Sequence, residues 1–143
     1  MSQLPTSPAL TVDCVCFDGQ GRVLLVRRGN PPFEGAYALP GGFVETGETV
    51  EAACRRELHE ETGVDAGELR LVGVFSDPGR DPRGPTVSIA YLSVIEGAEP
   101  KAGSDAAAAE WVADWRRDKL AFDHAEIIAA AESQLRAEAG WRD

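Results

Sequence analysis

The chain has 143 residues, of which 43% are hydrophobic and 27% are charged, as expected for one globular domain with its own core. Its net charge of −10, from 14 Lys and Arg against 24 Asp and Glu, argues against a nucleic-acid backbone as the main partner. Since no apolar run reaches the roughly 20 residues that span a bilayer, and the N-terminal residues do not match a signal peptide, we expect a cytoplasmic protein without a membrane partner.

Alternating apolar and polar residues predict that the chain begins with two antiparallel strands. The prolines that follow them prevent the second strand from continuing. In chain order the predicted elements are a loose arm at 1–8, a strand at 10–16, a turn at 18–21, a returning strand at 22–28, a loop at 29–35 and an extended piece at 37–40.

The rest of the chain combines helices with further strands. Thr49 is placed to cap the start of the first helix and Gly63 to end it, by their side-chain and backbone preferences. The predicted elements are a helix at 49–62, strands at 69–75, 86–95 and 108–112, and a closing helix at 123–139. Strands before, between and after two helices predict an α/β fold whose mixed sheet is covered on both faces.

Three cysteines match neither a C-x-x-C pair nor a zinc-ligand spacing. Two of them would share one face of the first strand, and the third would lie on the apolar face of the first helix. We therefore predict buried, unreactive thiols in a reducing compartment at Cys14, Cys16 and Cys54.

The first helix carries an acidic face that opposes its own stability. Glu57, Glu60 and Glu61 stand at i, i+3 and i+4, where like charges repel one another and the helix dipole is negative. A hard cation such as Mg²⁺, which prefers carboxylate oxygens, would compensate both effects. The alternative is a solvated acidic face with Arg55 and Arg56 as surface partners.

The residues before this helix add two carboxylates, Glu45 and Glu48, and the flexible pair Gly41-Gly42. Together they complete a pattern of nine specified positions over 23 residues, Gly42-x5-Glu48-x7-Arg56-Glu57-Leu58-x-Glu60-Glu61-x-Gly63-Val64. This pattern resembles, at every fixed position, the signature of the Nudix hydrolases.

The resemblance implies an α/β/α sandwich that hydrolyses a nucleoside diphosphate linked to another moiety, with Mg²⁺ or Mn²⁺ as cofactor. It also implies that Arg56 orients a catalytic glutamate and that Glu48 anchors the helix entry by pairing with an arginine. Glu57 and Glu60 are the implied catalytic glutamates. The implied metal ligands are Glu57, Glu60, Glu61 and, as a lesser one, the carbonyl of Gly42.

Many members of the family recruit one more carboxylate from a loop late in the chain, as a metal ligand or a general base. The segment from 103 to 111 is the matching place here. Asp105 is the first choice and Glu110 the second. The alternatives are a turn residue at Asp105 and a solvated strand-end charge at Glu110.

The loop after the predicted strand at 69–75 resembles that of ADP-ribose pyrophosphatases, which produce AMP and ribose 5-phosphate. Pro78 lies 14 residues after Val64, and a proline at about this distance is typical of that subgroup. Stretches 25–33 and 120–124 resemble it as well. The candidate substrate contacts are Arg27, Phe33, Arg80 and Arg83, since guanidinium groups suit phosphate or ribose oxygens and rings stack on bases.

Each of these contacts has an alternative. Arg80 and Arg83 could instead form a surface turn with Asp77 and Asp81. Phe33, like Tyr37 and Phe75, could belong to the core. His124 is expected only to begin the last helix, without a catalytic role.

Other functions stay open from the sequence. The same fold could hydrolyse nucleoside triphosphates or diadenosine polyphosphates, or it could sense a nucleotide without catalysis. A calcium-binding structural domain would need an oxygen-rich EF-hand loop, which the sequence does not contain. Relatives in the subgroup are commonly homodimers, so a homodimer is possible by analogy.

Overall fold

A computed structural model describes residues 7–103 and 106–138. Seven strands form one mixed sheet, in which β1 and β6 run parallel along their full length and the other pairs are antiparallel. The elements are β1 (Ala9–Phe17), β2 (Val23–Arg28), β3 (Tyr37–Ala38), β4 (Gly41–Phe43), α1 (Val50–Thr62), β5 (Arg70–Phe75), β6 (Thr86–Val94), β7 (Ala106–Val112), a 3₁₀ helix (Trp115–Arg117) and α2 (His124–Glu138).

The two helices cover opposite faces of the sheet, and β1 shows this division most clearly. Its side chains alternate, so Cys14 and Cys16 pack with Leu58 of α1, while Val15 and Phe17 pack in the cluster that α2 completes. Each face therefore has its own hydrophobic core. The predicted α/β/α sandwich with a mixed central sheet is confirmed.

The predicted ends of α1 are confirmed. The Thr49 hydroxyl accepts a hydrogen bond from the Ala52 N–H at 3.0 Å, and Gly63 ends the helix with a φ of 70°. A later segment covers the same end, because the Gly103 N–H donates to the carbonyl oxygen of Glu61 at 2.9 Å. The acidic end of α1 thus lies under a loop that enters β7.

Two features differ from the sequence predictions. Gly41 and Gly42, described from the sequence as a flexible pair, belong to β4, which pairs with β1. A Cβ atom at Gly41 would lie only 2.1 Å from the carbonyl oxygen of Val12, so only glycine allows this approach. Asp13 is 6% exposed, although the alternation in the sequence suggested a polar face for it. Both sheet faces are covered, so the polar position of the pattern is buried as well.

The cysteines are buried, as predicted. The pKa of the Cys14 thiol is raised by its contact with Cys16 and by burial. A thiol that stays protonated is a poor nucleophile. Among the helices of the described residues, none combines the length and the apolar character that crossing a bilayer requires.

Candidate active site

Arg56 ties the start of α1 to the loop that precedes it. Its guanidinium group binds both carboxylate oxygens of Glu48, at 2.6 Å and 3.0 Å, and donates to the carbonyl oxygen of Phe43 at 3.0 Å. A two-point arginine–carboxylate pair fixes direction as well as distance. The resemblance implied that Glu48 pairs with an arginine, and that arginine is Arg56.

The same guanidinium reaches the acidic face of the helix. Its Nη1 atom lies 2.6 Å from Glu57 Oε1 and 3.3 Å from Glu60 Oε2. The Glu57 side chain is 16% exposed, whereas that of Glu60 is 56% exposed. Arg56 therefore holds Glu57 in one direction inside the site, while Glu60 remains open to solvent.

Glu61 is the most strongly perturbed carboxyl group of the site. It is mostly buried, and its Oε2 atom accepts a hydrogen bond from the Gly41 N–H at 2.9 Å. Burial, followed by the neighbouring charge of Glu57, raises the pKa of Glu61 to about 9. Two carboxylates that share one site cannot both ionise easily, so the pair needs either a proton or a cation.

Gly42 makes room for this pair. A Cβ atom at Gly42 would lie 2.5 Å from Glu57 Oε2, closer than real Cβ contacts. The two adjacent glycines of the motif thus have separate roles: Gly41 lets β4 approach β1, and Gly42 lets the Glu57 carboxylate lie against β4.

The donor set fits a divalent cation. Among the described residues, no group of three or more Asp, Glu, His or Cys side chains is arranged to hold a metal ion. Mg²⁺, however, is usually held by one or two carboxylates together with substrate phosphates and water. The pair Glu57 and Glu61, whose carboxylates lie against Gly42 and Gly41, offers that number of protein ligands.

Glu61, Gly41 and Gly42 line one wall of a cleft that is also rich in arginine. Four of the 14 basic residues of the chain line it, although the chain as a whole carries a charge of −10. Converging cations in a cleft attract anions. These residues are Arg27, Arg28, Arg80 and Arg83.

Arg27 lies with Glu110 on the side of the sheet away from α1. The Arg27 guanidinium stacks over the Tyr37 ring at 4.0 Å, and the Tyr37 hydroxyl donates to Glu110. Glu110 pairs in register with Leu25, whose side chain belongs to the core that α2 covers. The structure thus brings Glu110 to Tyr37 rather than to the glutamates of α1.

Arg80 belongs to a buried polar network. Its side chain is 4% exposed and binds Asp123 at 2.7 Å and 2.9 Å, with Asp13 at 3.7 Å. The sequence alternative, a surface turn with Asp77 and Asp81, is therefore wrong for Arg80. Arg80 instead joins the loop before β6 to the start of α2 and to the centre of β1.

His124 and Ser88 complete this network around Asp13. The Leu39 N–H donates to Nδ1 of His124 at 2.9 Å, so the proton of a neutral ring lies on Nε2, which is 3.2 Å from Asp13 Oδ1. Burial opposes ionisation of Asp13, but contacts with His124, Ser88 and Arg80 outweigh it and lower its pKa. The sequence prediction gave His124 no such contact, and Asp13, an unusual residue inside a strand, was the one available signal.

Arg83 lines the cleft, whereas Phe33 lines a neighbouring pocket that shares Arg80 and Phe122 with it. Arg83 pairs with Asp81 at 2.9 Å, as the surface-turn alternative described. Phe33 is 37% exposed, and its ring packs edge-to-face on Phe122 at 5.0 Å between centroids. Exposed rings at the edge of a polar cleft are suited to stacking on a base.

Asp105, the first choice for the extra carboxylate, lies outside the described residues. Its described neighbours are close to the site: Gly103 binds the Glu61 backbone, and Ala106 lines the cleft.

Comparison with known proteins places these features in context. Residues 7–131 match the NUDIX domain family. The chain is 50% identical over 121 residues to the ADP-ribose pyrophosphatase of Methanocaldococcus jannaschii, covering 85% of this chain and 71% of that protein. It is 36% identical over 137 residues to the ADPR-responsive transcriptional repressor NtrR of Acinetobacter baylyi, covering 90% of this chain and 55% of the repressor.

The fold also matches a solved structure closely. The NUDIX domain of Shewanella oneidensis NrtR, determined in complex with ADP ribose, superposes with a TM-score of 0.86 and 33% identity. The match covers 91% of this chain and 90% of that domain.

Proposed function

Because the chain belongs to the NUDIX domain family, we propose that it is a metal-dependent pyrophosphohydrolase that splits ADP-ribose into AMP and ribose 5-phosphate. The family resemblance predicted from Gly42 to Val64 is confirmed. One structural observation carries the proposal: the acidic end of α1 and the arginine side chains line the same cleft. Hydrolysis of a diphosphate requires both features: positive charge next to the phosphate oxygens, and carboxylates that bind the catalytic metal.

Glu57 and Glu61 would hold the divalent ion, with Glu60 and the Gly42 carbonyl as further ligands. The ion, Mg²⁺ or Mn²⁺, would supply positive charge at the phosphate oxygens and an activated water. Arg56 fixes the direction of Glu57, and Glu48 fixes Arg56 in turn.

The remaining residues bind and orient the substrate. Arg27 and Arg83 line the cleft, where their guanidinium groups suit phosphate or ribose oxygens. Phe33 offers an exposed ring for the adenine base in the neighbouring pocket, which shares Phe122 with the cleft. Arg80 is already bound to Asp123, so it acts by holding the loop in place and presents its charge from beneath the cleft.

We place the general base at Asp105 rather than at Glu110. Gly103 and Ala106 bring the chain on either side of Asp105 to α1 and the cleft, whereas the Glu110 carboxylate accepts a hydrogen bond from Tyr37. Asp105→Asn should lower kcat by about 10²- to 10⁴-fold, the usual contribution of a general base. Glu110→Gln should change kcat much less.

We propose ADP-ribose, rather than another nucleotide, as the substrate because of the relatives described above. The 50% identical protein is an ADP-ribose pyrophosphatase, and the structurally similar NUDIX domain binds ADP ribose. A panel of ADP-ribose, nucleoside triphosphates and diadenosine polyphosphates, each assayed with Mg²⁺ and with Mn²⁺, tests the choice. Faster turnover of a triphosphate or a diadenosine polyphosphate would show that the substrate is wrong.

Glu57→Gln tests the metal site, and Glu51→Gln is the matched control on the same helix, because Glu51 is exposed in its first turn. We expect Glu57→Gln to lose at least about 10²-fold in kcat, since it removes a ligand charge at the reacting centre. Glu51→Gln should match the wild type. Near-normal magnesium-dependent activity of Glu57→Gln would contradict the assignment.

A second candidate function is a sensor that binds ADP-ribose without cleaving it. It is favoured by the repressor relative, although this chain spans only 55% of that protein. The complete motif and the perturbed pair at Glu61 favour catalysis. Stoichiometric binding of ADP-ribose with no AMP formed would favour the sensor instead.

The proposal also includes one domain over residues 1–143, a cytoplasmic location, a homodimer and no nucleic-acid partner. The net charge of −10 supports the last of these, since it repels a phosphate backbone. Light scattering after size exclusion measures the oligomeric state, and a mass near one chain would contradict the homodimer.

A further inference from the structure

The ring of Phe122 is flanked by two guanidinium groups. Arg28 lies 5.0 Å and Arg83 lies 5.6 Å from the ring centroid. Phe122 has a φ of 54°, and Phe33, packed against its edge, has a φ of 60°. Bulky residues rarely adopt this left-handed conformation, and such residues persist where the surrounding structure enforces them, often at ligand sites.

Arg28 differs from the other arginines of the cleft in its charge balance. Arg27 faces Glu110 at 3.9 Å, Arg80 binds Asp123 and Arg83 binds Asp81. Within residues 7–103 and 106–138, no carboxylate lies within ion-pair distance of Arg28. Its Nε donates to the carbonyl oxygen of Pro32 at 2.6 Å, which fixes the side chain but leaves its charge unneutralised.

The surroundings of Arg28 are unfavourable for a lone cation. Burial, and then the nearby charge of Arg83, lower the pKa of Arg28. The nearby charges of Asp81 and then Glu61 act in the opposite direction, and these two carboxylates line the same cleft as Arg28 and Arg83. Two cations that repel each other in a half-buried cleft are stabilised when an anion binds between them.

We propose that Arg28 and Arg83, both packed on Phe122, form a clamp for the diphosphate oxygens of the substrate. The clamp rests on the proposed function, because it identifies how the same cleft holds a diphosphate. Stacking on a ring leaves the edge of a guanidinium free to donate hydrogen bonds. Arg28 is therefore a binding residue, held by the Pro32 carbonyl, and Phe122 is the ring on which both guanidinium groups pack.

Replacing Arg28 tests this clamp independently of the metal site. Arg28→Met should raise the KM for ADP-ribose by about ten- to a hundredfold, the usual effect of losing a charge-assisted contact, with kcat changed only a few-fold. Arg28→Lys keeps the charge but not the flat fork and should lie between Arg28→Met and the wild type. Phe122→Leu should raise KM by about three- to tenfold. Arg117→Met is the control, because Arg117 is 82% exposed and its ion-pair partner among the described residues is Asp114.

A binding experiment in EDTA measures the clamp without turnover. Titration with ADP-ribose, inorganic pyrophosphate and adenosine should show weaker binding of the first two to Arg28→Met and equal binding of adenosine. Equal affinity of wild type and Arg28→Met for both diphosphates would overturn the clamp, as would a wild type that binds neither. A wild type that binds ADP-ribose but does not cleave it would overturn the proposed enzymatic function and leave the clamp supported by its binding data.

Discussion

Replacing Gly42 by alanine adds one methyl group directly against the Glu57 carboxylate. The new Cβ would lie 2.5 Å from Oε2 and 2.6 Å from the carboxyl carbon, whereas ordinary contacts begin at 3.4 Å. Glu57 would therefore have to retreat by about 1 Å, and a displacement of that size at a reacting centre costs about 10²-fold in rate. We expect Gly42→Ala to lower kcat for ADP-ribose by about that factor.

The fold should tolerate this change, because the atom that must move is the end of a flexible side chain. Gly41→Ala is the matched opposite: its Cβ would lie 2.1 Å from the carbonyl oxygen of Val12, a backbone atom between β1 and β4. We expect Gly42→Ala to lower the free energy of unfolding by less than about 1 kcal/mol. Gly41→Ala should lower it by about 1–3 kcal/mol or more, as overpacking usually does.

Urea denaturation followed by fluorescence gives the two stabilities, and release of AMP from ADP-ribose in Mg²⁺ gives the two rates. Gly42→Ala should therefore be folded but slow. Wild-type turnover by Gly42→Ala would refute the position assigned to Glu57. Equal destabilisation by both alanines would refute the separate roles of the two glycines.

Three further variants or reagents test other parts of the structure. Arg80→Met leaves Asp123, whose side chain is 14% exposed, without its partner and should lower the free energy of unfolding by about 3–5 kcal/mol. The double variant that adds Asp123→Asn should lose less stability than the sum of the two single changes. Asp18 accepts hydrogen bonds from the backbone and side chain of Arg22. Burial raises the pKa of Asp18, but these hydrogen bonds outweigh it and lower the pKa. The ionised Asp18 therefore stabilises the fold above the unfolded pKa of about 3.9, and this stabilisation is lost as pH falls through the folded pKa. Asp18→Asn should therefore destabilise by about 1 kcal/mol at pH 7 and by progressively less below about pH 4. A thiol reagent should titrate no cysteine in the native protein and three after unfolding, namely Cys14, Cys16 and Cys54.

The helix α1 could be predicted almost to the residue because its signals are local. A hydroxyl before the first turn and a glycine after the last one define its ends, and the carboxylate spacing follows from the helical period. The bond from Arg56 to Glu48 spans only 8 positions in the sequence, so a sequence pattern can contain both partners. Local geometry and local sequence carry the same information here.

The polar network under the cleft could not be predicted because its partners meet only in the folded chain. Asp13 binds Ser88, which lies 75 positions later, and Arg80 binds Asp123, which lies 43 positions later. In the sequence a buried Asp in a strand looks the same as one that faces water. What distinguishes Asp13 is the covering of both sheet faces, and that depends on where α2 packs.

The charge of the cleft shows what the sequence argument left out. A net charge of −10 repels an anionic substrate, yet four arginines line the cleft. Three of them face carboxylates, so without divalent metal the attraction depends most on Arg28. Divalent ions would add charge from the other wall and reduce that dependence. The loss of ADP-ribose affinity in Arg28→Met should therefore be larger in EDTA than the rise in KM in saturating Mg²⁺. A larger effect with Mg²⁺ would mean that Arg28 acts on the metal-bound carboxylates instead of on the substrate.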